Sequence, residues 1–305
     1  MKSKDNFEPS TVSAKKISDS ELILNADGSI FHLHLHPSQL ADTILLVGDP
    51  GRVSSVSKHF SQLEHSVSNR EFVTHTGIFN GKRISVISTG IGTDNIDIVV
   101  NELDALVNID LSKRIPLPVT RSLNLIRLGT SGSLQKDIDT DTFLVSSHGL
   151  GMDGLLNFYG NLDAINEKEL SDAFIAHTHW NKNLAFPYIV AASPNLLKLL
   201  GKGYKSGITA TAPGFYGPQG RVLRIPLAVP EMNEAFTSFD HKGVRITNFE
   251  METSALYGLS KHLGHEACTV CAIIANRLAG KYSKDYKATV DKMIEMVLER
   301  LTTPC

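Results

Sequence analysis

Four short segments carry residue types suited to holding an anion or a polar ring: "GDPGR" from Gly48, "GIGTDN" from Gly90, "RLGTSG" from Arg127 and "GFYGPQGR" from Gly214. Glycine lets successive backbone N–H groups turn toward one anion, and a helix starting just after such a turn adds positive potential. Of the first three segments two bring an arginine, Arg52 and Arg127, and another arginine, Arg70, stands in "NREFVTH". A guanidinium fork suits a tetrahedral oxyanion because it donates two parallel hydrogen bonds to it. Taken one at a time, each arginine reads more readily as a solvated surface charge, and it is the placement beside glycine turns that points to an anion. The fourth segment differs in kind, because Gln219 and Arg221 offer an amide and a guanidinium two residues apart. None of the four matches the P-loop or the dinucleotide fingerprint, so neither an NTPase nor a dinucleotide site is expected.

The elements that must position these residues alternate between strand and helix. "TILLV" before Gly48 reads as a buried strand, and a helix begins near Arg52. "EFVTHTGIF" and "RISVISTG" flank "NGK", a strong hairpin signal. "TDNIDIVVNELDALVN" repeats apolar residues at helical spacing, "NLIRLGTSGSL" reads as strand then turn, and "TFLVSS" as strand. "SPNLLKLLGKG" has a proline near its start and a glycine past its end, as helices do. "GVRITNFE" runs straight into the helical "METSALYGLSKHLG", and "EACTVCAIIANR" and "KDYKATVDKMIEMVLERL" supply a last strand and a last amphipathic helix. The class is therefore α/β, with ligands expected where strands end and loops begin. No repeat or linker divides the chain: residues 1–30 are polar and read as an N-terminal extension, and 31–305 as one domain. The proline-containing stretch "NIDLSKRIPLPVTRS" reads as a surface excursion.

Composition removes several alternatives. Lys and Arg number 30 against 32 Asp and Glu, a net charge of −2, so no global field favours nucleic acid and any anion site must be local. No apolar run approaches the roughly 20 residues of a membrane-spanning helix, and "MKSKDNFEPS" lacks the apolar core of a secretory signal. Three cysteines make no disulfide framework, which fits a reducing, cytoplasmic setting. Cys268 and Cys271 form a C-x-x-C, but on a strand positions three apart face opposite ways, so metal or redox chemistry is not expected there. "FHLHLH" would put His32, His34 and His36 on one face if extended, which invites a metal reading, but no metal is expected there.

Taken in order, "VGDPGRV", "REFVTHTG", "STGIGTDN", "IRLGTSGSLQ", "GFYGPQGR", "NFEMETSALYGL" and "ANR" resemble the nucleoside phosphorylases of the hexameric/uridine phosphorylase type, from about Phe31 to the C-terminal helix. The resemblance implies one three-layer α/β/α domain around a mixed, partly barrel-like sheet. It implies reversible attack of inorganic phosphate, as co-substrate and with no other cofactor or metal, on C1′ of a nucleoside. By resemblance Gly48, Arg52, Arg127 and Thr130 bind phosphate, joined by Arg70 of a neighbouring subunit, and Thr130 also contacts the nucleoside. Glu252 accepts the ribose hydroxyls, Met251 packs the sugar, Glu250 contributes mainly through its backbone, and His32 reaches a neighbour's nucleoside near its 5′-hydroxyl. Self-association follows, with a dimer as the minimum and a hexamer as the family expectation.

Gln219 and Arg221 are similar to the uracil-reading pair of uridine phosphorylases, with Phe215 stacking beside the base. Arg127, Arg221 and Glu252 would carry catalysis, by stabilising the anion, the departing base and the sugar cation. Purine-cleaving relatives place an aspartate after the last core strand. Asn276 stands at that point here, and an amide cannot act as that acid, so uridine is expected over purines. "GPQ" departs from the family's usual "PGQ" or "EGQ", which leaves thymidine and deoxyuridine open. A monovalent cation found in some relatives would involve Glu71 and Ile91, but Asn95 replaces their small hydroxyl residue and no cation is assigned. The alternatives are another nucleoside phosphorylase (for thymidine, deoxyuridine or purines), a nucleosidase, and, outside enzymes, a nucleoside-binding protein without turnover.

Overall fold

Along "TILLV" the side chains alternate between two hydrophobic layers, Ile44 and Leu46 entering one and Leu45 and Val47 the other. A strand apolar on both faces must be covered on both. The computed structural model, which describes residues 15–303, shows that arrangement. Fourteen strands and seven α-helices are found among the described residues. The first half runs β1 (Thr43–Val47), α1 (Gly51–Ser57), β2 (Gln62–Asn69), β3 (Phe72–Phe79), β4 (Lys82–Ser88), α2 (Thr93–Asn108), β5 (Ile109–Asp110), β6 (Ile115–Pro116), β7 (Asn124–Ser133), β8 (Phe143–Gly151) and α3 (Lys168–Thr178). The second half runs β9 (Tyr188–Ala191), α4 (Pro194–Gly201), β10 (Lys205–Thr211), α5 (Met232–Ser238), β11 (Asp240–His241), β12 (Val244–Glu250), α6 (Thr253–Leu263), β13 (Glu266–Asn276), β14 (Lys281–Tyr282) and α7 (Tyr286–Thr302).

The main sheet has the order β11-β12-β10-β8-β13-β7-β1-β4-β3-β2, with β9 and β14 attached to β8 and β13. It closes partly on itself, because β12 pairs in parallel with β10 and also antiparallel with β7, through Asn248–Ser133 and Phe249–Gly132. Strands β12, β10, β8, β13 and β7 thus form a five-stranded barrel-like ring, with β1, β4, β3 and β2 extending from one side. Helices α2 and α6 cover one face, burying Ile96, Val99, Leu103, Leu256 and Leu259. Helices α1, α4 and α7 cover the other with Val53, Val56, Leu196, Met293, Ile294 and Val297. This is the three-layer arrangement with a mixed, partly barrel-like sheet.

Local chemistry explains most element boundaries. The β3–β4 hairpin turns at Asn80 and Gly81, whose φ values of 48° and 77° are those an Asn-Gly turn supplies. Ser193 caps α4, its hydroxyl accepting from Leu196 N–H with Pro194 at the first helical position. Two expectations are corrected. "GTSGS" does not turn after Leu128; β7 runs straight through it to Ser133, because every residue from Thr130 to Ser133 still pairs with β13. "FHLHLH" is not extended: His34 has a φ of 54°, which buries Leu33 and Leu35 and leaves His34 and His36 beside Asp27.

Residues 1–14 and 304–305, including the "MKSKDNFEPS" segment and Cys305, lie outside the described residues. The rest of the N-terminal stretch is packed, with Leu22 and Ile30 buried against α2 and its neighbours, and Ile17 N–H donating to Arg114 O. The excursion at 108–122 carries a two-strand ladder, β5 with β6.

Helix α6 is fixed from below by Tyr257, whose buried hydroxyl donates to Ser146 O and accepts from Thr269 N–H, each at 2.8 Å. Tyr257→Phe leaves that amide and carbonyl unpartnered, and should lower stability by about 1–3 kcal/mol. The midpoint of urea unfolding measures the loss; an unchanged midpoint contradicts the assigned role.

Candidate functional site

A cavity of about 760 Å³ opens where β1, β4, β7, β12 and β13 meet the loops after them. Gly48, Arg52, Arg127, Thr130, Phe215, Gln219, Arg221, Glu250, Met251 and Glu252 all line it. Arg70 and His32 do not. They sit together elsewhere on the chain, Arg70 lying 5.7 Å over the Phe31 ring, next to His32. His32 is held by Glu102, which takes its Nδ1 at 2.6 Å and the backbone N–H groups of His32 and Leu33.

The floor of the cavity is a cluster of buried charge. Arg127 on β7 donates through Nη2 to Glu252 Oε2, and its Nη1 lies 3.4 Å from Glu250 Oε2. All three side chains are almost wholly buried. Burial works against the charge of Arg127, but the carboxylates of Glu252 and Glu250 outweigh it and raise its pKa. Burial raises the pKa of Glu250, with Arg127 pulling the other way. Arg127 Nη1 makes no hydrogen bond among the described residues, leaving a donor at the cavity floor. Arg52 arrives from α1 and donates Nη1 to Leu128 O at 3.0 Å. Burial, then repulsion from Arg127, lowers its pKa, yet a guanidinium stays charged. Two cations that repel each other across a cavity form a place for an anion.

The two glutamates do different work, and the sequence separates them only in part. Glu250 turns its carboxylate to the N-terminus of α6, accepting from Thr211 Oγ1 at 2.7 Å and from the N–H groups of Glu252 and Thr253. That is anion stabilisation by orphan helix donors. Glu252 faces the cavity, accepting Gly92 N–H at 2.9 Å besides Arg127. Gly92 is the residue before α2 and has a φ of 103°, so "GIG" supplies a backbone donor aimed at Glu252. The expectation that such a donor would face an external anion is corrected for that amide.

At the other end, Gln219 is buried while Phe215 is half exposed. Arg221 donates Nη1 to Gln219 Oε1 at 2.7 Å and to Phe215 O, and its guanidinium lies 3.8 Å over the Phe215 ring. Arg221 therefore fixes which end of the Gln219 amide is the acceptor and turns its NH₂ away. Arg277, quoted in "ANR" but given no role from the sequence, donates to Gln219 O from behind the loop. Burial, then the charge of Arg221, pushes its pKa down to about 10. No spacing rule links positions 219 and 277; only the fold does. Phe249, Ser131 and Tyr282 also line the cavity and were not singled out.

Asn276 does not reach the cavity. It is fully buried, donating to Gln135 O and Ile138 O and accepting from Ala279 N–H, while Ile274 and Ala275 form the wall. Its side chain is structural, and this strand end presents no carboxylic acid to the cavity. Glu71, Ile91 and Asn95 line the rim, where Asn95 Nδ2 donates to Ile91 O at 3.4 Å and takes up the carbonyl a cation would need. Among the described residues no group of three or more His, Cys, Asp or Glu side chains is placed to hold a metal.

A model of the phosphorylase superfamily matches residues 42–303. The chain belongs to that superfamily. It is 30% identical over 278 residues to a uridine phosphorylase of Thermococcus kodakarensis, covering 88% of this chain and 86% of that one. It is 31% identical over 281 residues to a DeoD-type purine nucleoside phosphorylase of Clostridium perfringens, covering 89% and 98%. Among solved structures it is similar to a Trypanosoma brucei nucleoside phosphorylase reported to show uridine phosphorylase activity, with 31% identity, a TM-score of 0.85 and coverage of 93% and 100%. Membership fits a nucleoside phosphorylase, an enzyme of the pentosyltransferase class acting on nucleoside and phosphate.

The charge cluster yields a stability test. Arg127→Leu leaves two buried carboxylates without their cation and should cost about 3–5 kcal/mol at neutral pH. Without Arg127 the pKa of Glu250, already raised by burial, rises further, so the folded variant binds more protons than the unfolded chain. Its deficit should shrink as pH falls from 8 to 5. Urea unfolding at the two pH values measures this, and a deficit that grows on acidification contradicts the ion-pair account.

Proposed function

We propose that this protein is a uridine phosphorylase, converting uridine and phosphate reversibly to uracil and ribose 1-phosphate. The observation that carries the proposal is the joining, in one cavity, of a two-arginine anion site, a buried carboxylate and an amide–guanidinium loop. The names of the relatives in Thermococcus and Trypanosoma support it. In this reading Gly48, Arg52, Arg127 and Thr130 hold phosphate below the sugar, and Glu252 accepts the ribose hydroxyls against Met251. Gln219 and Arg221 read the uracil edge beside Phe215. A phosphate oxygen bonds to C1′ as the C1′–N1 bond breaks, the electron pair passing into the pyrimidine ring, where Arg221 offsets the charge.

Glu252 favours the positive charge that develops on the sugar. Phosphate is its own nucleophile, so positioning and electrostatics do most of the catalysis. The absence of an acid from the cavity wall beside Asn276 favours a pyrimidine over a purine. A further part of the proposal is that Arg70 and His32 complete the site of a neighbouring subunit, in a dimer or a hexamer, which accounts for their lying outside the cavity of their own chain. Phosphate is proposed as the only co-substrate. Residues 31–305 are proposed as the catalytic domain, preceded by an extension. A cytoplasmic setting completes the reading, consistent with the buried thiols of Cys268 and Cys271 and with there being no helix among the described residues long and apolar enough to cross a membrane.

The assay is release of uracil from uridine with and without phosphate, with inosine in parallel. Phosphate-dependent release from uridine and little from inosine is the expected result. Release without phosphate would make the protein a nucleosidase, and binding without release a nucleoside-binding protein. Arg127→Ala should lose about 10²–10³ in turnover at saturating phosphate, by analogy with oxyanion donors; near-normal turnover would contradict the assignment.

A further inference from the structure

A chain of buried hydroxyls and one amide crosses the barrel-like ring and ends at the cavity wall. Ser146 on β8 and Thr209 on β10 share a hydrogen bond between hydroxyls. Thr209 Oγ1 donates to Asn248 Oδ1 on β12 at 2.9 Å, and Asn248 Nδ2 donates to Ser131 Oγ on β7 at 2.9 Å. Ser146, Thr209 and Asn248 have no exposed surface and do not line the cavity, whereas Ser131 does.

The direction of donation follows from the Asn248 amide, whose Oδ1 faces Thr209 and whose Nδ2 faces Ser131, and from counting hydroxyl protons. If the chain ran the other way, Ser131 would donate to Asn248, Asn248 to Thr209, and Thr209 to Ser146. The Ser146 proton would then be left without an acceptor, since Thr209 is the only partner of its hydroxyl among the described residues. A buried unpaired donor is costly. Run forward, Ser146 donates to Thr209, Thr209 to Asn248, and Asn248 to Ser131. Each buried hydroxyl then has a partner, and the hydroxyl proton left over belongs to Ser131, at the cavity. Thr247 Oγ1, also 2.9 Å from Asn248 Oδ1, can give its single proton to Ile208 O at 3.0 Å instead, so it does not alter the direction. The nearby Cys271 thiol, pushed up to about 12 by burial, is neutral and a weak acceptor beside a carbonyl or hydroxyl oxygen.

We infer that Asn248 is a positioning residue: it holds the Ser131 hydroxyl as a hydrogen-bond donor to an oxygen of the bound nucleoside. Chained donors polarise one another, which strengthens the last bond. The inference rests on the reading of the cavity as a nucleoside site. It assigns Asn248 and Thr209 a role at a distance, one that neither cavity lining nor the spacing of "NFEME" reveals.

Initial rates as a function of uridine and of phosphate test it, on Ser131→Ala, Thr209→Val and their double variant. Thr209→Val keeps the shape and removes the donor that fixes the Asn248 amide. Each single change should raise KM for uridine about tenfold, the worth of one hydrogen bond. KM for phosphate should stay unchanged and kcat within about threefold, and the double variant should match Ser131→Ala alone. Asn248→Asp is the second arm: a carboxylate there draws the Ser131 proton inward, so the uridine KM should rise as in Ser131→Ala. Wild-type KM for uridine in Thr209→Val or in Ser131→Ala overturns the inference, as does a double variant whose effects multiply. Wild-type protein that releases no uracil with phosphate overturns the underlying reading instead, so the two failures are distinguishable.

Discussion

The contact between Arg127 and the pair Glu250 and Glu252 is the constraint on which the rest of the site depends. Burying one cation with two anions is tolerable only where further groups share the charge. Glu250 is served by the N–H groups opening α6, Glu252 by the Gly92 N–H, and Arg52 adds a second cation across the cavity. The two arginines and two glutamates sum to zero. An entering phosphate would upset that balance, which gives a physical motive for proposing that another cation, Arg70, arrives from a neighbour. A carboxylate already holding Arg127 and Gly92 is also oriented before a sugar arrives, and preorganisation of this kind is the main resource of a site without its own nucleophile.

That contact exists because the sheet closes. Arg127 and Glu252 are 125 residues apart, and β12 brings them together by pairing with β7 as well as β10. The same closure carries the Ser146–Thr209–Asn248–Ser131 chain across the ring, and it sets Phe249 against the cavity. Behind the Gln219 end of the cavity, Arg277 ties the strand-β13 exit to the Gln219 carbonyl, so the amide–guanidinium loop is held from the sheet and not only by its own turn.

Much of this was legible in the sequence where local chemistry decides the outcome. The Asn-Gly hairpin, the Ser-Pro start of α4 and the apolar repeat of α2 each specify their own structure. Ordered motifs identified the cavity residues, although no single motif would have done so. Less legible were features set by distant partners. "GTSGS" looks like a turn until β13 is seen to pair with it. "FHLHLH" alternates like a strand but is bent so that two leucines enter the core and His32 meets Glu102, 70 residues away. α3 and α5 were not foreseen, since their apolar residues gain meaning only from packing against each other around Phe174 and Phe236. Asn276 sat at the expected position with its side chain turned inward, because backbone carbonyls at Gln135 and Ile138 claim it.

The most direct measurement is a crystal structure of the protein with phosphate and a non-reacting uridine analogue. The account predicts phosphate oxygens within hydrogen-bond distance of both Arg52 and Arg127, ribose hydroxyls on Glu252, and the pyrimidine edge against Gln219 and Arg221. Phosphate bound elsewhere, with Arg127 unmoved between its glutamates and the analogue outside the cavity, would contradict it.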